Sequence, residues 1–239
     1  MLCDLSKRYV QPGRILDIGC GTGISTSEIR KKFPKAEIIA LDESFPMLAV
    51  AKEKEIGRSA IFRHDQVRNV TRLPGRFDMI LAGMSFHWLC SADRLAIRDA
   101  LHENGILAMS FPLSVPLKKR VDGNHLLIAV FRELKRTDPR WRPERGTRGL
   151  NWRELGKALP GLKLIHSSSY YMEEEFQQGL DFLSVLRVRG VFCGIFGDKA
   201  FLAEENAAGK VCDGRISYLW PIGFAIFCRE ANQSRPRQA

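Results

Sequence analysis

The chain lacks the features that mark secreted, zinc-binding and membrane-spanning proteins. Its six cysteines include no C-x-x-C pair, and its first 13 residues lack the apolar core of a signal peptide. The longest apolar run, Tyr218–Cys228, has 11 residues and includes Pro221, whereas a membrane span needs about 20 residues. We therefore expect a cytoplasmic protein with reduced cysteines, no metal site and no membrane contact.

Internal repeats and low-complexity segments are also absent, apart from a short polar tail at residues 232–239. The 239 residues are 45% hydrophobic and 27% charged. This is the composition of one ordinary globular domain with enough chain for a sizeable core.

A strand, a glycine turn and a helix follow one another near the start of the chain. Ile15–Ile18 is a short apolar run with one acid, and glycines then occupy positions 19, 21 and 23. From Ile24 to Phe33 the pattern becomes helical. Glycine lets the turn adopt positive φ, and the helix start leaves N–H groups free for a ligand. This order predicts the opening of a nucleotide-binding α/β unit.

The spacing of the glycines argues against a dinucleotide ligand. A dinucleotide site has the pattern G-x-G-x-x-G, but Ile24 stands where the third glycine would fall. Asp17 lies two residues ahead of Gly19, at the end of the predicted strand. A carboxylate is poorly placed beside a pyrophosphate and well placed beside a cation. S-adenosylmethionine fits this site, because it carries an ammonium and a sulfonium group and no phosphate.

The stretch Leu16–Gly23 resembles motif I of the class I S-adenosylmethionine-dependent methyltransferases; the alternative is a tight turn in another α/β protein. The resemblance implies a Rossmann-like α/β fold with a seven-stranded, mostly parallel sheet, helices on both faces and a helical cap. It also implies that the cofactor lies against Asp17, Gly19, Cys20, Gly21 and Gly23. Similar enzymes have one or two helices before the first strand, where this chain has about a dozen residues. Either other parts of the chain cover the cofactor, or the natural chain begins upstream.

A second acid follows the second predicted strand. Glu37–Leu41 is a mostly apolar run, and Asp42 comes 19 residues after the last glycine of the turn. An acid at this place can accept hydrogen bonds from both ribose hydroxyls. Ser44, with Pro46 in the following turn, is the better candidate for a helix N-cap. Met47 either flanks the adenine ring or packs in the core.

The third predicted strand, Ala60–Arg63, is short and weakly apolar. The resemblance implies that the acid after it, Asp65, hydrogen-bonds the adenine amino group, with Gln66 beside it. His64 is interpreted as a solvated loop residue.

Phe77–Leu89 has the pattern of a buried strand that runs into a loop. It resembles the F-D-x-[IV]-x-[AS]-x-x-x-x-H-W pattern of small-molecule O- and C-methyltransferases, in which this loop holds the transferable methyl, and it implies that Gly83 borders the cofactor. The [DN]-P-P-[YF] tetrapeptide of amide and adenine N-methylases is absent, which argues against methylation of DNA bases. His87, next to Trp88, is either a general base or a hydrogen-bonding wall of the pocket. A helix capped by Ser91 is expected to follow.

The segment from Lys118 to Arg153 holds 11 basic and four acidic residues. It therefore carries +7 of the chain's formal charge of +10. Asn124–Arg136 has the amphipathic pattern of a helix, and a second helix is expected to open at Asn151. We expect this basic segment to cap the carboxyl edge of the sheet, where α/β enzymes bind substrates.

Three further runs complete the predicted sheet. Gly105–Phe111, Lys163–Met172 and Ile216–Arg229 have strand patterns, and a helix is expected over Phe176–Arg189. The predicted division of the chain is a cofactor-binding half at 1–113, the basic cap at 114–160 and the last part of the sheet at 161–239.

Two late stretches, Asp181–Gly190 and Asp213–Tyr218, resemble the malonyl-[acyl-carrier-protein] O-methyltransferases of biotin synthesis. The resemblance implies methylation of a free carboxylate on a small acid or on an acyl group held by an acyl carrier protein. A carboxylate has a reference pKa of about 4.3, so it is already ionised at neutral pH. It therefore needs a cation and a dry pocket rather than a base. Arg187 and Arg189 either supply that cation or form a solvated helix face.

Two other classes of protein remain open at this point. A basic segment with Trp141 and Trp152 interleaved is also typical of an RNA surface, which would indicate an RNA methyltransferase. A partner protein that keeps the fold and has lost turnover is the other class. The pattern does not predict an oligomeric state.

Overall fold

The structure is a computed structural model, which describes residues 1–54, 59–113, 122–137, 152–177 and 215–229. The candidate functional residues Arg187, Arg189 and Trp141 lie outside these ranges, as do Arg140, Arg142 and Arg145 of the basic segment. Of the predicted helix over Phe176–Arg189, only residues 176 and 177 are described.

The described chain forms a seven-stranded sheet with the strand order β3-β2-β1-β4-β5-β7-β6. Strand β1 pairs in parallel with β2 and β4, while β2 pairs with β3 and β4 with β5 in the same sense. The strands are β1 (Arg14–Ile18), β2 (Glu37–Asp42), β3 (Ile61–His64), β4 (Phe77–Gly83), β5 (Leu101–Pro112), β6 (Leu162–Phe176) and β7 (Ile216–Arg229). This arrangement confirms the predicted Rossmann-like α/β fold.

Six α-helices and two short 3-10 helices are described alongside the strands. The α-helices are α1 (Leu2–Ser6), α2 (Ile24–Lys32), α3 (Phe45–Glu53), α4 (Ser91–Ala100), α5 (Asp122–Thr137) and α6 (Trp152–Ala158). The 3-10 helices are Val67–Arg72 and Phe86–Trp88. None of the described helices is long and apolar enough to cross a lipid bilayer.

Most predicted elements are present, but several boundaries were wrong. Strand β5 begins at Leu101 rather than Gly105, and β6 ends at Phe176 rather than Met172. The N-cap of α4 is Cys90 rather than Ser91, because the backbone N–H of Cys90 donates to Asp93 Oδ2 at 2.8 Å and starts the helix one residue earlier. Phe176 is the last residue of β6 rather than the first of a helix, and its buried side chain ends that strand.

The first, second and fourth strands form the centre of the core. Ile15, Leu16 and Ile18 of β1 are fully buried, as are most residues of β2 and β4. Such near-continuous burial is typical of parallel strands covered on both faces. Pairing places Asp17 opposite Ala40 of β2 and Leu81 of β4. The carboxyl ends of three strands therefore meet at one edge of the sheet, where the predicted site residues lie.

The chain divides into two compact units. The first comprises Met1–Phe111, Asn151–Ser168 and Gly223–Ala239, and the second comprises Pro112–Leu150 and Ser169–Ile222. Within the second unit, Trp220 Nε1 donates to Glu174 Oε2 at 2.7 Å, and Asn124 Nδ2 donates to the Leu219 carbonyl at 3.2 Å. The three-part division of the sequence stays a prediction.

Candidate functional site

The glycine turn after β1 is tied to the end of β2 by its backbone. The N–H groups of Gly19 and Cys20 both donate to the carbonyl of Leu41, at 2.8 and 3.1 Å. Gly19 has a φ of +63°, and a Cβ at this position would stand 2.4 Å from the Cβ of Ser85. Only glycine fits here, because both the backbone conformation and the close approach exclude a side chain.

Asp42 links the glycine turn to the start of α3. Its Oδ2 accepts the backbone N–H of Gly21 at 2.7 Å, and its Oδ1 accepts the backbone N–H of Ser44 at 2.8 Å. Ser44 is the N-cap residue of α3, as predicted, although its side chain makes no capping bond. Each carboxylate oxygen has two acceptor sites. Asp42 therefore retains acceptor capacity for the two ribose hydroxyls of the predicted ligand.

Asp17 lies against the first turn of α2. Its side chain is fully buried, and its Oδ2 accepts the hydroxyls of Ser25 and Thr26, each at 2.7 Å. Its Oδ1 is also buried and has no hydrogen-bond partner among the described residues. Burial raises the pKa of this carboxyl from its ordinary value of 3.8 to about 6, against the lowering effect of the two hydroxyls. An unpaired buried carboxylate oxygen can accept a hydrogen bond from an ammonium group. Asp17 therefore suits the cationic ligand that the sequence predicts.

Met47 and Phe45 form an exposed apolar surface on α3 near the glycine turn. The side chain of Met47 is 49% exposed, and its Sδ is 3.6 Å from the point where a Gly21 Cβ would stand. Core packing was therefore the wrong alternative for Met47, and the position suits contact with adenine. Phe45 contacts the ring of His64 edge-on, with centroids 5.7 Å apart. His64 itself is exposed, and its Nε2 lies 3.0 Å from the carbonyl oxygen of Glu43.

Asp65 is exposed at the end of β3, next to Asp42. Its Oδ1 accepts the side-chain amide of Asn69 and the backbone N–H of Gln66, each at 2.7 Å. These two bonds, the Asn69 bond first, hold the pKa of the Asp65 carboxyl below its ordinary range. The backbone N–H of Asp65 donates to the Asp42 carbonyl at 3.3 Å. The predicted contacts of Asp65 and Gln66 with adenine stay predictions.

The loop after β4 contains a strained residue and a tie to β1. Met84 has a φ of +55°, a region that non-glycine residues rarely adopt. Its N–H donates to both the carbonyl and the hydroxyl oxygen of Ser110, at 3.0 and 3.1 Å. The Ser85 hydroxyl donates to the carbonyl of Ile18 at 2.7 Å. Gly83, the last residue of β4, lies near Ser25, whose Cβ would be 3.6 Å from a Gly83 Cβ.

His87 is buried in this loop and is neutral at pH 7. Its side chain is 8% exposed, and its Nδ1 has no partner among the described residues. Burial lowers the pKa of His87 from 6.5 to about 4. Its ring lies against Trp88, with centroids 5.2 Å apart, and Trp88 is 44% exposed. Of the two predicted roles, this environment favours the pocket wall over the general base.

The structure brings most of the predicted cofactor residues to one edge of the sheet. Contacts, either direct or through a shared neighbour, join the glycine turn to Asp17, Asp42, Met47 and Gly83. Asp65 adjoins this group through Asp42. The predicted catalytic residue Arg187 lies outside the described residues.

Sequence reasoning missed three hydroxyl residues in this site: Ser25, Thr26 and Ser85. A signal for the first two was present, because they follow the glycine turn in the first turn of a predicted helix, where side chains face back to the preceding strand. No local signal marks Ser85, which lies 67 residues from its acceptor, Ile18.

Comparison with protein families shows what the region around this site is similar to. Residues 15–105 match the family described as "Methyltransferase domain". This part of the chain is thus similar to a methyltransferase domain, as the resemblance in motif I implied. The methyl donor of this family and fold is S-adenosylmethionine, which agrees with the fit of the glycine turn, Asp17 and Asp42.

Two curated relatives have names that specify a methyl acceptor. The chain is 34% identical over 115 residues to a malonyl-[acyl-carrier protein] O-methyltransferase of Bacillus anthracis, covering 46% of this chain and 42% of the relative. It is 32% identical over 101 residues to a trans-aconitate 2-methyltransferase of Deinococcus radiodurans, covering 41% of this chain and 38% of the relative. The matched region thus spans about two fifths of the length of these relatives.

A solved structure extends the similarity of fold to nearly the whole chain. A Bacillus halodurans protein described as a candidate methyltransferase superposes with a TM-score of 0.63, covering 95% of this chain and 97% of that one, at 15% sequence identity. At this identity the likeness concerns the fold alone.

Proposed function

We propose that this chain is an S-adenosylmethionine-dependent methyltransferase that O-methylates the free carboxylate of a small acid or of an acyl group on a carrier protein. The observation that supports S-adenosylmethionine as the methyl donor is the pair of carboxylates at the glycine turn. These are Asp17, with its unpaired buried oxygen, and Asp42 at the tip of β2. The malonyl and trans-aconitate groups in the names of the two relatives both carry free carboxylates, which supports the acceptor half.

Each residue of the donor site has a defined role in this proposal. Asp17 accepts the ammonium group of the methionine part, Asp42 accepts the ribose hydroxyls, and Met47 covers the adenine ring. Asp65 and Gln66 hydrogen-bond the adenine edge. The donor supplies a methyl group on a sulfonium, which is an activated leaving group. The protein holds the acceptor oxygen in line, about 3 Å from the methyl, and excludes water.

The loop after β4 supplies the acceptor side. Phe86 and His87 are buried, and Trp88 adjoins them with its ring partly exposed. A carboxylate acceptor is ionised at neutral pH, so it needs no proton abstraction. A neutral His87 is consistent with this, because a group with a pKa of about 4 is a weak base at pH 7. Arg187 or Arg189 would hold the carboxylate by its charge.

Titration calorimetry tests the donor half. We expect binding of S-adenosylmethionine and S-adenosylhomocysteine but not of NAD. Asp42→Ala removes an acceptor for the ribose and for the Gly21 N–H, and Gly21→Val places a side chain in the turn. Each change should weaken binding by about 1.5–3 kcal/mol, the scale of a hydrogen bond to a charged group. Binding of NAD without either sulfur ligand would refute the proposal.

Mass spectrometry with labelled cofactor tests the acceptor half. The purified protein is offered a panel of carrier-protein thioesters, small carboxylic acids and total RNA. Label on a carboxylate supports the proposal, and label on RNA alone replaces it with the RNA methyltransferase. Tight cofactor binding without label on any acceptor would instead indicate a partner protein that has lost turnover.

The basic segment permits a second discrimination between carrier protein and RNA. Reversing Arg140, Arg142 and Arg145 to Glu should raise the apparent KM for a carrier-protein substrate several-fold, because docking uses a few exposed charge pairs worth about 0.2–1 kcal/mol each. Cofactor affinity and turnover on a small thioester should not change. RNA binding would instead show a steep salt dependence, with a slope of about −0.7 per phosphate neutralised.

A further inference from the structure

The carboxylate of Asp17 is held on one oxygen only. Ser25 Oγ and Thr26 Oγ1, on consecutive residues of α2, both donate to Oδ2 at 2.7 Å. The other oxygen, Oδ1, is equally buried and has no partner among the described residues. An unpaired charged oxygen in a protein interior is costly, so a partner from outside the described residues, such as a bound cation, would stabilise it.

The described neighbours of Asp17 do not neutralise its charge. No described Lys, Arg or His forms an ion pair with Asp17. The charged group that faces it from β2 is Asp42, whose negative charge disfavours ionisation of Asp17. The thiols of Cys3 on α1 and Cys20 in the glycine turn are also close, and burial together with the charge of Asp17 raises the pKa of each. The two hydroxyls are therefore the groups that favour the ionised carboxylate.

We propose that Ser25 and Thr26 are positioning residues, which hold Asp17 so that its second oxygen is presented to the ammonium group of the methyl donor. This inference rests on the proposed function, because it assigns a role toward that donor. Thr26 is fully buried and Ser25 is half-buried, and both hydroxyls donate to the same oxygen, Oδ2. The pair fixes the rotation of the carboxylate, which a single bond would leave free.

The proposal has a consequence for pH. An ammonium binds to the ionised carboxylate and not to the neutral acid, so affinity for the donor falls as pH decreases through the pKa of Asp17, which is about 6. Each hydroxyl lowers that pKa, so its removal moves the loss of affinity to higher pH. The effect of removing a hydroxyl is consequently larger at pH 6 than at pH 8. A residue that only packed the helix against the strand would weaken binding equally at both values.

The test compares two ligands by titration calorimetry at pH 6 and at pH 8. S-adenosylhomocysteine carries the ammonium group, whereas methylthioadenosine has the same adenosine and sulfur but no amino acid. The variants are Ser25→Ala and Thr26→Val, which remove one hydroxyl each, and Thr26→Ser, which keeps it. Ser27→Ala is the matched control, because Ser27 follows on the same turn and its hydroxyl is not a donor to Asp17. Thermal melting reports whether each variant is folded.

We expect Ser25→Ala and Thr26→Val to weaken S-adenosylhomocysteine binding about tenfold at pH 6 and less at pH 8, the scale of one hydrogen bond to a charged group. Methylthioadenosine affinity should be unchanged, Thr26→Ser should restore most of the loss, and Ser27→Ala should behave as the wild type. Equal losses for both ligands, or losses independent of pH, would overturn the positioning role. If Thr26→Val does not fold, Ser25→Ala decides alone. A wild-type protein that binds neither ligand would refute the proposed function instead.

Discussion

The glycine turn and the loop after β4 lie at the same edge of the sheet but have opposite chemistry. The turn and its surroundings present two carboxylates, Asp17 and Asp42, held by backbone N–H groups and hydroxyls. The loop after β4 presents the aromatic rings of Phe86 and Trp88 and a neutral imidazole, that of His87. The difference supports the proposed division of roles, in which the negative groups would recognise a cationic donor and the apolar loop would keep water from the acceptor.

The two regions are nevertheless coupled through one close contact. The Ser85 hydroxyl donates to the Ile18 carbonyl, and the Ser85 side chain occupies the space that a Cβ on Gly19 would need. The loop after β4 therefore cannot shift without moving the start of the glycine turn. Substitutions that break this contact, and others that change charge, strain or activity in one region alone, test how far the two regions are coupled.

The largest effect is expected for Gly19→Ala, because it breaks the contact between the regions. The new Cβ would overlap Ser85 and would hold alanine at a φ of +63°. We expect a loss of at least about 3 kcal/mol in the free energy of unfolding, combining backbone strain with overpacking. Denaturant unfolding measures it. Gly13→Ala is the control, since its Cβ would meet only Asp78 Oδ2 at an ordinary 3.6 Å; equal losses in the two variants would contradict the argument.

A second effect separates the regions by the sign of their pH dependence. The pKa of Asp17 is raised from 3.8 to about 6, so its contribution to stability is complete below pH 3.8 and is lost as pH rises through about 6. Asp17→Asn removes this dependence. The stability of the variant relative to wild type should therefore increase by roughly 3 kcal/mol between pH 4 and pH 7. Urea unfolding across this range, without ligand, is the measurement, and a constant difference between the two proteins would contradict the prediction.

His87 should show the opposite sign in the same measurement. Its pKa is lowered from 6.5 to about 4, so its contribution to stability is present above pH 6.5 and is lost as pH falls through about 4. In His87→Gln this loss on the acid side should disappear, by an amount on the order of 3 kcal/mol between pH 7 and pH 4. His64→Gln serves as the control, because His64 is exposed. Identical acid profiles for the two variants would show that burial of His87 is not the cause.

A smaller effect is expected from the strained backbone of Met84. Its side chain is 45% exposed and its φ is +55°, so Met84→Gly relieves strain with little loss of packing. We expect the variant to be more stable by about 0.5–1 kcal/mol. We also expect slower methyl transfer, because the loop that carries His87 and Trp88 becomes less defined. Increased stability with unchanged turnover would mean that this strain has no functional role.

The smallest effect is expected for the activity of His87→Gln. If His87 forms a wall of the pocket, the variant should retain turnover on a carboxylate acceptor within roughly tenfold, since loss of a general base costs about 10²–10⁴-fold. The rate should also show no step near pH 6.5. If the wild-type rate instead rises through this pH and the substitution flattens the profile, His87 acts as a general base.

Much of the cofactor half could be predicted because its signals are local. The apolar runs with terminal acids at Asp17 and Asp42 and the alternating glycines specify a strand, a turn and a helix from neighbouring residues alone. The boundaries of β7 were also predicted as the structure has them, at Ile216 and Arg229. The start of α4 was missed because Cys90 caps it through Asp93, and cysteine is not among the preferred capping residues.

By itself the sequence determined the class of fold and indicated the glycines and acids of the proposed donor site, since periodicity and glycine spacing act over a few residues. Tertiary structure decided the hydrogen bonding and the burial of the groups in and around that site. It left one buried oxygen of Asp17 without a partner among the described residues, placed Ser85 against Ile18 across 67 residues, and buried His87 so that its imidazole is neutral. These properties depend on packing between distant segments and on exclusion of water, which local sequence patterns do not encode.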